Sequence, residues 1–153
     1  MKKFISLTLS LLIISLLFSA CAPKDPISAD SFITQMESEG FTVIDVTSST
    51  ETNGNATKVL IAKKGGYQIE FYQLINKEIG EAVFETNKRI FDEEHSFKTL
   101  SLSVSISNHN YYAFNADEDF HMISQIDDTM LYCDASVAYR DEIISIVEKL
   151  GYK

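Results

Sequence analysis

The chain of 153 residues has no tryptophan, two prolines, six glycines and two cysteines. So little glycine and proline excludes collagen-like and low-complexity readings. A chain of this length buries roughly two-thirds of its unfolded surface, so it folds without needing a metal or a disulfide framework. Positive charge is scarce. Thirteen Lys and Arg stand against 22 Asp and Glu, a net charge of −9, which excludes nucleic acid as a partner because phosphate binding takes clustered basic residues. Catalytic signatures are missing as well: there is no GxSxG elbow, HExxH, CxxC pair, P-loop or GxGxxG. What remains is an ordinary globular composition, 45% apolar, 23% charged and 11% aromatic, with one domain's worth of chain.

The N-terminus is the most legible segment. Lys2 and Lys3 precede an uncharged run from Phe4 to Phe18. Fifteen helical residues span about 22 Å, short of the roughly 30 Å hydrocarbon core, so the run reads as a secretory signal over residues 1–20 and not as a permanent span. It ends in Leu17-Phe18-Ser19-Ala20-Cys21. This resembles the lipobox of bacterial lipoproteins, with Phe18 where the family more often has Leu. The resemblance implies that the preceding peptide is removed and that Cys21 is acylated and becomes the new N-terminus. It implies localisation at the cell membrane, on the extracytoplasmic side, with the lipid bilayer as a partner through Cys21. Residues 21–27, with Pro23 and Pro26, are then a short spacer, and residues 28–153 the single domain. With Cys21 as anchor, Cys133 has no disulfide partner and is expected as a buried structural thiol.

Within the domain, Ser28 caps a helix over 29–39 that Gly40 stops, and Phe41–Val46 reads as a strand. Residues 48–57 are too polar for anything but a loop. Lys58–Lys63 and Tyr67–Leu74 form a hairpin about Gly65-Gly66. Asn76 caps a second helix to about Glu93, whose apolar stripe is Ile79, Ala82, Val83, Thr86 and Ile90, widened by Phe84 and Phe91. Leu100–Ser107 alternates strictly, with Leu100, Leu102, Val104 and Ile106 expected inward and Ser101, Ser103, Ser105 and Ser107 outward. Turns at 108–110, 117–119 and 127–128 separate three more strands, and Ser136 caps a last helix to Leu150. The fold class is α+β: an antiparallel meander sheet in the order α-β-β-β-α-β-β-β-β-α, with helices expected on one face.

Sites are sparse. His95, His109 and His121 have no close spacing, so no metal site is expected. Asp117-Glu118-Asp119 and Asp127-Asp128 read as solvated hairpin turns, since the EF-hand pattern that would make them calcium ligands is missing. No catalytic residue and no cofactor is assigned. The serine row is a possible binding face, framed by Tyr72, Tyr111 and Tyr112, because tyrosines give contact area at low entropic cost. The resulting expectation is a membrane-anchored extracytoplasmic binding or interaction module whose partner is an envelope protein or a glycan. The alternatives are a hydrolase-like cell-envelope enzyme, with a cleft around a group such as His121 or Glu70, and a homo-oligomer whose sheet faces pair. A flat exposed patch, a cleft or a symmetric interface separates the three.

Overall fold

The computed structural model describes residues 22–153. The expected signal peptide and the lipidation site at Cys21 lie outside the described residues. Helix α1 (Ala29–Ser38) begins where Ser28 accepts a hydrogen bond from the Ser31 amide, and the chain leaves it through Gly40 at φ 85°, a backbone conformation that favours glycine. Strands β1 (Thr42–Asp45), β2 (Ala56–Lys64) and β3 (Tyr67–Leu74) follow. Helix α2 (Lys77–Glu94) is capped by Asn76, whose Oδ1 accepts from the Ile79 amide at 2.9 Å. Strands β4 (Thr99–Ile106), β5 (His109–Ala116), β6 (Asp119–Ile126) and β7 (Thr129–Ser136) are each eight residues long. A 3₁₀ turn (Val137–Tyr139) capped by Ser136 leads into α3 (Arg140–Lys149).

The seven strands form one sheet in the order β1-β2-β3-β7-β6-β5-β4, every pair antiparallel. The expected fold class and element order are both found. Two meanders, β1 to β3 and β4 to β7, are joined where β3 pairs with β7. The second meander turns through Ser107-Asn108, Asp117-Glu118 and Asp127-Asp128. The first residue of each turn has positive φ, at 56°, 52° and 48°. Aspartate tolerates this conformation because its short side chain hydrogen-bonds the nearby backbone.

The helices, expected on one face, divide between two. Along β5, Tyr111 and Ala113 belong to one apolar cluster while Tyr112, Phe114 and Ala116 belong to another, so the clusters lie on opposite sides of the sheet. The first cluster carries α1 and α3 through Phe32, Met36, Ile143, Ile146 and Val147. The second carries α2 through Phe84 and Phe91. The connection from β3 to β4 has to cross the sheet to its far edge, and α2 makes that crossing on the face the other helices leave free.

The buried stripe of α2 is also rotated by about one residue from the expected one. Gly80, Phe84 and Phe91 are buried while Ala82 and Thr86 are exposed, because the two phenylalanine rings outweigh the smaller aliphatic positions in buried area. Gly80 lets the helix approach closely: a Cβ there would stand 2.4 Å from the Asp127 carbonyl oxygen.

Residues 22–28 have no regular structure, as two prolines dictate, but they are fastened to the domain. The Lys24 amide donates to Asn108 Oδ1 at 2.9 Å, Asn108 Nδ2 donates to the Lys24 carbonyl at 2.7 Å, and the Ile27 amide donates to the Tyr152 hydroxyl at 3.3 Å.

Candidate functional site

The largest consequence of this architecture is that α2 covers only part of its face. It packs on β6 and that strand's neighbours, leaving β1 and β2 bare there: Ile44 is 43% exposed. The polar loop over residues 46–55 closes the far side. Between α2 and that loop lies a cleft of about 290 Å³, at the lower end of the roughly 300–1,000 Å³ range of small-molecule sites.

Its floor is four side chains from two paired strands. Glu70 stands opposite Tyr132, and Tyr72 opposite Met130. Alternate residues of a strand share a face, so Glu70 and Tyr72 point the same way as Tyr132 and Met130. Val83 and Asn87 of α2 form one wall; Thr50, Glu51, Thr52 and Asn55 form the other. The Tyr72 hydroxyl donates to Glu70 Oε2 at 2.5 Å, and Gln68 Nε2 donates to Glu70 Oε1 at 2.7 Å, a charge-assisted pair that fixes the carboxylate. Burial, reinforced by the Glu70 carboxylate, holds the Tyr72 phenol well above the usual tyrosine range. Burial also pushes Tyr132 up to about 12, with Asp134 and Glu70 adding to it. Both phenols are therefore neutral hydrogen-bond donors at neutral pH. Asn87 is steadied by its own helix, donating to the Val83 carbonyl at 2.8 Å. Among the described residues no Lys, Arg, His, Ser or Cys lines the cleft.

The candidate binding face of the sequence reading is not one surface. Strand β4 is the sheet edge and not a central strand. Ser103 and Ser105 pair with Tyr112 and Asn110 and so lie on the α2 side of the sheet, while Ser101 precedes them across a β-bulge between Thr99 and Leu102. Ser107 is a turn residue at φ 56°. Tyr112 is on the serine side but buried, its hydroxyl donating to Asp92 at 2.7 Å. Tyr111 is buried on the opposite side, against the α1 and α3 cluster. Tyr72 stands three strands away from β5, in the cleft.

Leu100, Leu102 and Ile106, expected inward, are 66%, 45% and 46% exposed. Leu102 and Ile106 share the face of Tyr111, but the two helices there cover the centre of the sheet and stop short of its edge. Only Val104 packs against the core.

The histidines separate into two environments. His109 Nε2 lies 3.0 Å from the Tyr152 carbonyl and 3.2 Å from Ser124 Oγ, a buried contact that holds the C-terminus. His95 and His121, 26 positions apart, come together with ring centroids 4.4 Å apart. Phe91 and Phe114 flank both. His121 Nδ1 is 3.4 Å from Asp134 Oδ1, yet neither ring nitrogen makes a well-formed hydrogen bond among the described residues. Burial lowers the His121 pKa, with Asp134 opposing and His95 adding to the effect. No group of three or more His, Cys, Asp or Glu side chains that would hold a metal occurs among the described residues.

Cys133 is buried, donates to the Gln68 carbonyl at 3.2 Å and is pushed up to about 12 by burial, so it is an inert thiol. The two acidic clusters form turns. Asp127 accepts from Asn108 Nδ2, and Asp128 accepts from Gln73 Nε2.

The sequence reading named Glu70 and Tyr72 in separate roles and missed Tyr132, Met130, Asn87 and the 50–55 wall. Alternation along β3 was the available signal for the first pair. The rest depends on the pairing of β3 with β7. No protein-family model matches the chain, and neither a curated protein nor a solved structure is detectably similar to it.

Proposed function

We propose that the chain is a membrane-anchored extracytoplasmic lipoprotein that acts as a binding module, and that the cleft between α2 and the 46–55 loop takes a small organic cation. One observation carries the choice of ligand: two carboxylates (Glu51 and Glu70) and two tyrosines line the cleft, and among the described residues no positively charged side chain does. Carboxylates attract a cation directly, and tyrosine ring faces add about 0.5–2 kcal/mol through the ring quadrupole. An anionic ligand would meet repulsion with nothing to offset it. The lipobox-like sequence ending at Cys21 supports the anchor. No helix among the described residues is long and apolar enough to cross a membrane.

An envelope enzyme is the second reading, favoured by a carboxylate at a cleft floor. Two facts rank it lower. Both Glu70 oxygens are already engaged, and among the described residues no Ser, Cys, Lys or His lines the cleft to act as nucleophile or base.

The test is a thermal-shift panel of tetraalkylammonium salts, primary alkylamines, neutral sugars and carboxylates on the full chain. Cations are expected to raise the melting temperature, and Glu70→Gln to remove the effect. Stabilisation by carboxylates, or by cations equally well in Glu70→Gln, overturns the ligand class. For the anchor, Cys21→Ala is expected to move the protein from the membrane fraction to the soluble one and to abolish labelling by radioactive fatty acid. Unchanged fractionation and labelling would refute it.

A further inference from the structure

The segment that the sequence presents as a spacer is held by the domain at both backbone and side chain. Asn108 is buried, and its amide brackets Lys24, accepting from the Lys24 amide and donating to the Lys24 carbonyl. The same Nδ2 donates to Asp127 Oδ2 at 2.8 Å. Lys24 Nζ donates to the Gly151 and Lys153 carbonyls at 2.8 and 3.0 Å, and the Ile27 amide donates to the Tyr152 hydroxyl. A freely swinging spacer has no use for a buried asparagine. A fixed one carries the position of its anchor into the domain.

Asn108 marks one end of the sheet. There β4 ends and β5 begins, β6 ends and β7 begins, and β3 ends. The Asp128 carbonyl accepts from the Leu74 amide and the Asn55 carbonyl from the Ile75 amide, so these residues belong to the same end. Cys21 precedes Lys24 by three residues, and three residues in any conformation span at most about 11 Å. An eight-residue strand such as β5 is about 26 Å long. Acyl chains on Cys21 therefore keep the Asn108 end beside the lipid headgroups. The opposite end, with Phe97 and the 117–119 turn, stands a strand's length from the tether.

Charge favours the same pose. Asp117, Glu118 and Asp119 at the far end are exposed, whereas Asp127 and Asp128 at the near end are half-buried and accept from Asn108 and Gln73. Lys77 also lies 3.9 Å from Asp127. An anionic headgroup layer thus repels the far turn more than the near one.

We infer that the clamped tether docks the sheet end formed by the 107–108 and 127–128 turns and Ile75 onto the headgroup layer of the membrane holding Cys21. The inference rests on the lipid-anchor reading and not on the ligand of the cleft. Asn55, Ala56 and Leu74 line the cleft at this same end, which brings part of the cleft to headgroup level.

The chain has no tryptophan, so a single introduced one reports its own surroundings. The full acylated chain is reconstituted on phosphatidylcholine–phosphatidylglycerol vesicles that carry a nitroxide on the lipid headgroup. Ile75→Trp, at a near-end position 50% exposed, is expected to lose most of its emission. Phe97→Trp, at a far-end position 83% exposed, is expected to keep it, and Glu118→Trp is a second far-end probe expected to do the same. A flexible Gly-Ser insert of about ten residues between Ala22 and Pro23 leaves the domain contacts in place and should remove most of the difference between near and far probes. Vesicle flotation and circular dichroism check that each variant is bound and folded. A chain that fails to float with vesicles overturns the anchor and the inference together. A chain that floats with near and far probes quenched alike, or with neither quenched, overturns the inference and leaves the anchor standing. A difference that survives the insert does so as well, because the tether is then not what sets the pose.

Discussion

The two faces of the sheet solve the same problem differently. On one, α1 and α3 seal the centre, with Phe32 stacked on Phe71 at 5.0 Å and both rings fully buried. On the other a single helix packs chiefly on β5, β6 and β7, and a polar loop stands across from it as the second wall of a cleft. One face is therefore a dry core; the other is half core and half cleft. A face packed at two helices' width has no room for a ligand, and a face packed at one helix's width creates a wall. The cleft on this scaffold follows from that face carrying one helix where the other carries two.

If that contrast is right, substitutions on the sealed face cost stability and those in the cleft cost binding. The largest effect is expected from Phe71→Ala, which removes a buried ring from the sealed face and should cost about 3–5 kcal/mol in urea unfolding. A smaller loss, about 1–3 kcal/mol, is expected of Gly80→Ala. Alanine is the better helix former by up to about 1 kcal/mol, but its Cβ would collide with the Asp127 backbone. A gain in stability would mean that α2 rides higher over its face than described, with a wider cleft.

Acid should weaken the packing around the two buried histidines, one on each face of the sheet. His121 is held below the ordinary imidazole value chiefly by burial, so the native state binds fewer protons than the unfolded chain. Its contribution is present above about pH 6.5 and lost as pH falls below it. The groups facing it are His95, Asp134, Asp119 and Glu94; the carboxylates oppose the trend and the second imidazole reinforces it. His109, lowered chiefly by burial and then by Lys24, acts in the same direction. The melting temperature is therefore expected to drop between pH 7 and pH 5, and His121→Phe, which keeps an aromatic ring beside Phe91 and Phe114, should reduce the drop. An unchanged pH profile in His121→Phe would contradict this account. The smallest stability change is expected of Tyr72→Phe, about 1 kcal/mol for one half-buried hydrogen bond, accompanied by weakened cation binding. Calorimetry of the two proteins checks both halves.

How far the sequence carried the fold depends on whether each signal was local. Ser28 and Asn76 cap where they were expected to, because a cap is decided by a side chain and an amide two or three residues away; Ser136 caps the 3₁₀ turn that precedes the last helix, and that helix starts at Arg140 without a side-chain cap. The hairpins were legible for the same reason. The position of β4 was not: chain order places it fourth, and only the β3 to β7 pairing sends it to the edge. Strict alternation in β4 announced two faces without saying that only Val104 would reach the core. The candidate site was legible to the extent of Glu70 and Tyr72, which alternate along one strand. Tyr132 and Asn87 reach them through tertiary contacts that no window of sequence contains, and His95 reaches His121 in the same way.

The most direct test of the half-open face is amide chemical-shift mapping of the full chain in detergent micelles, titrated with the cation that gives the largest thermal shift. The account predicts perturbations grouped on residues 50–56, 70–74, 83–87 and 130–132, with α1 and α3 silent. Perturbations centred on the α1 and α3 face, or on β4, would contradict it.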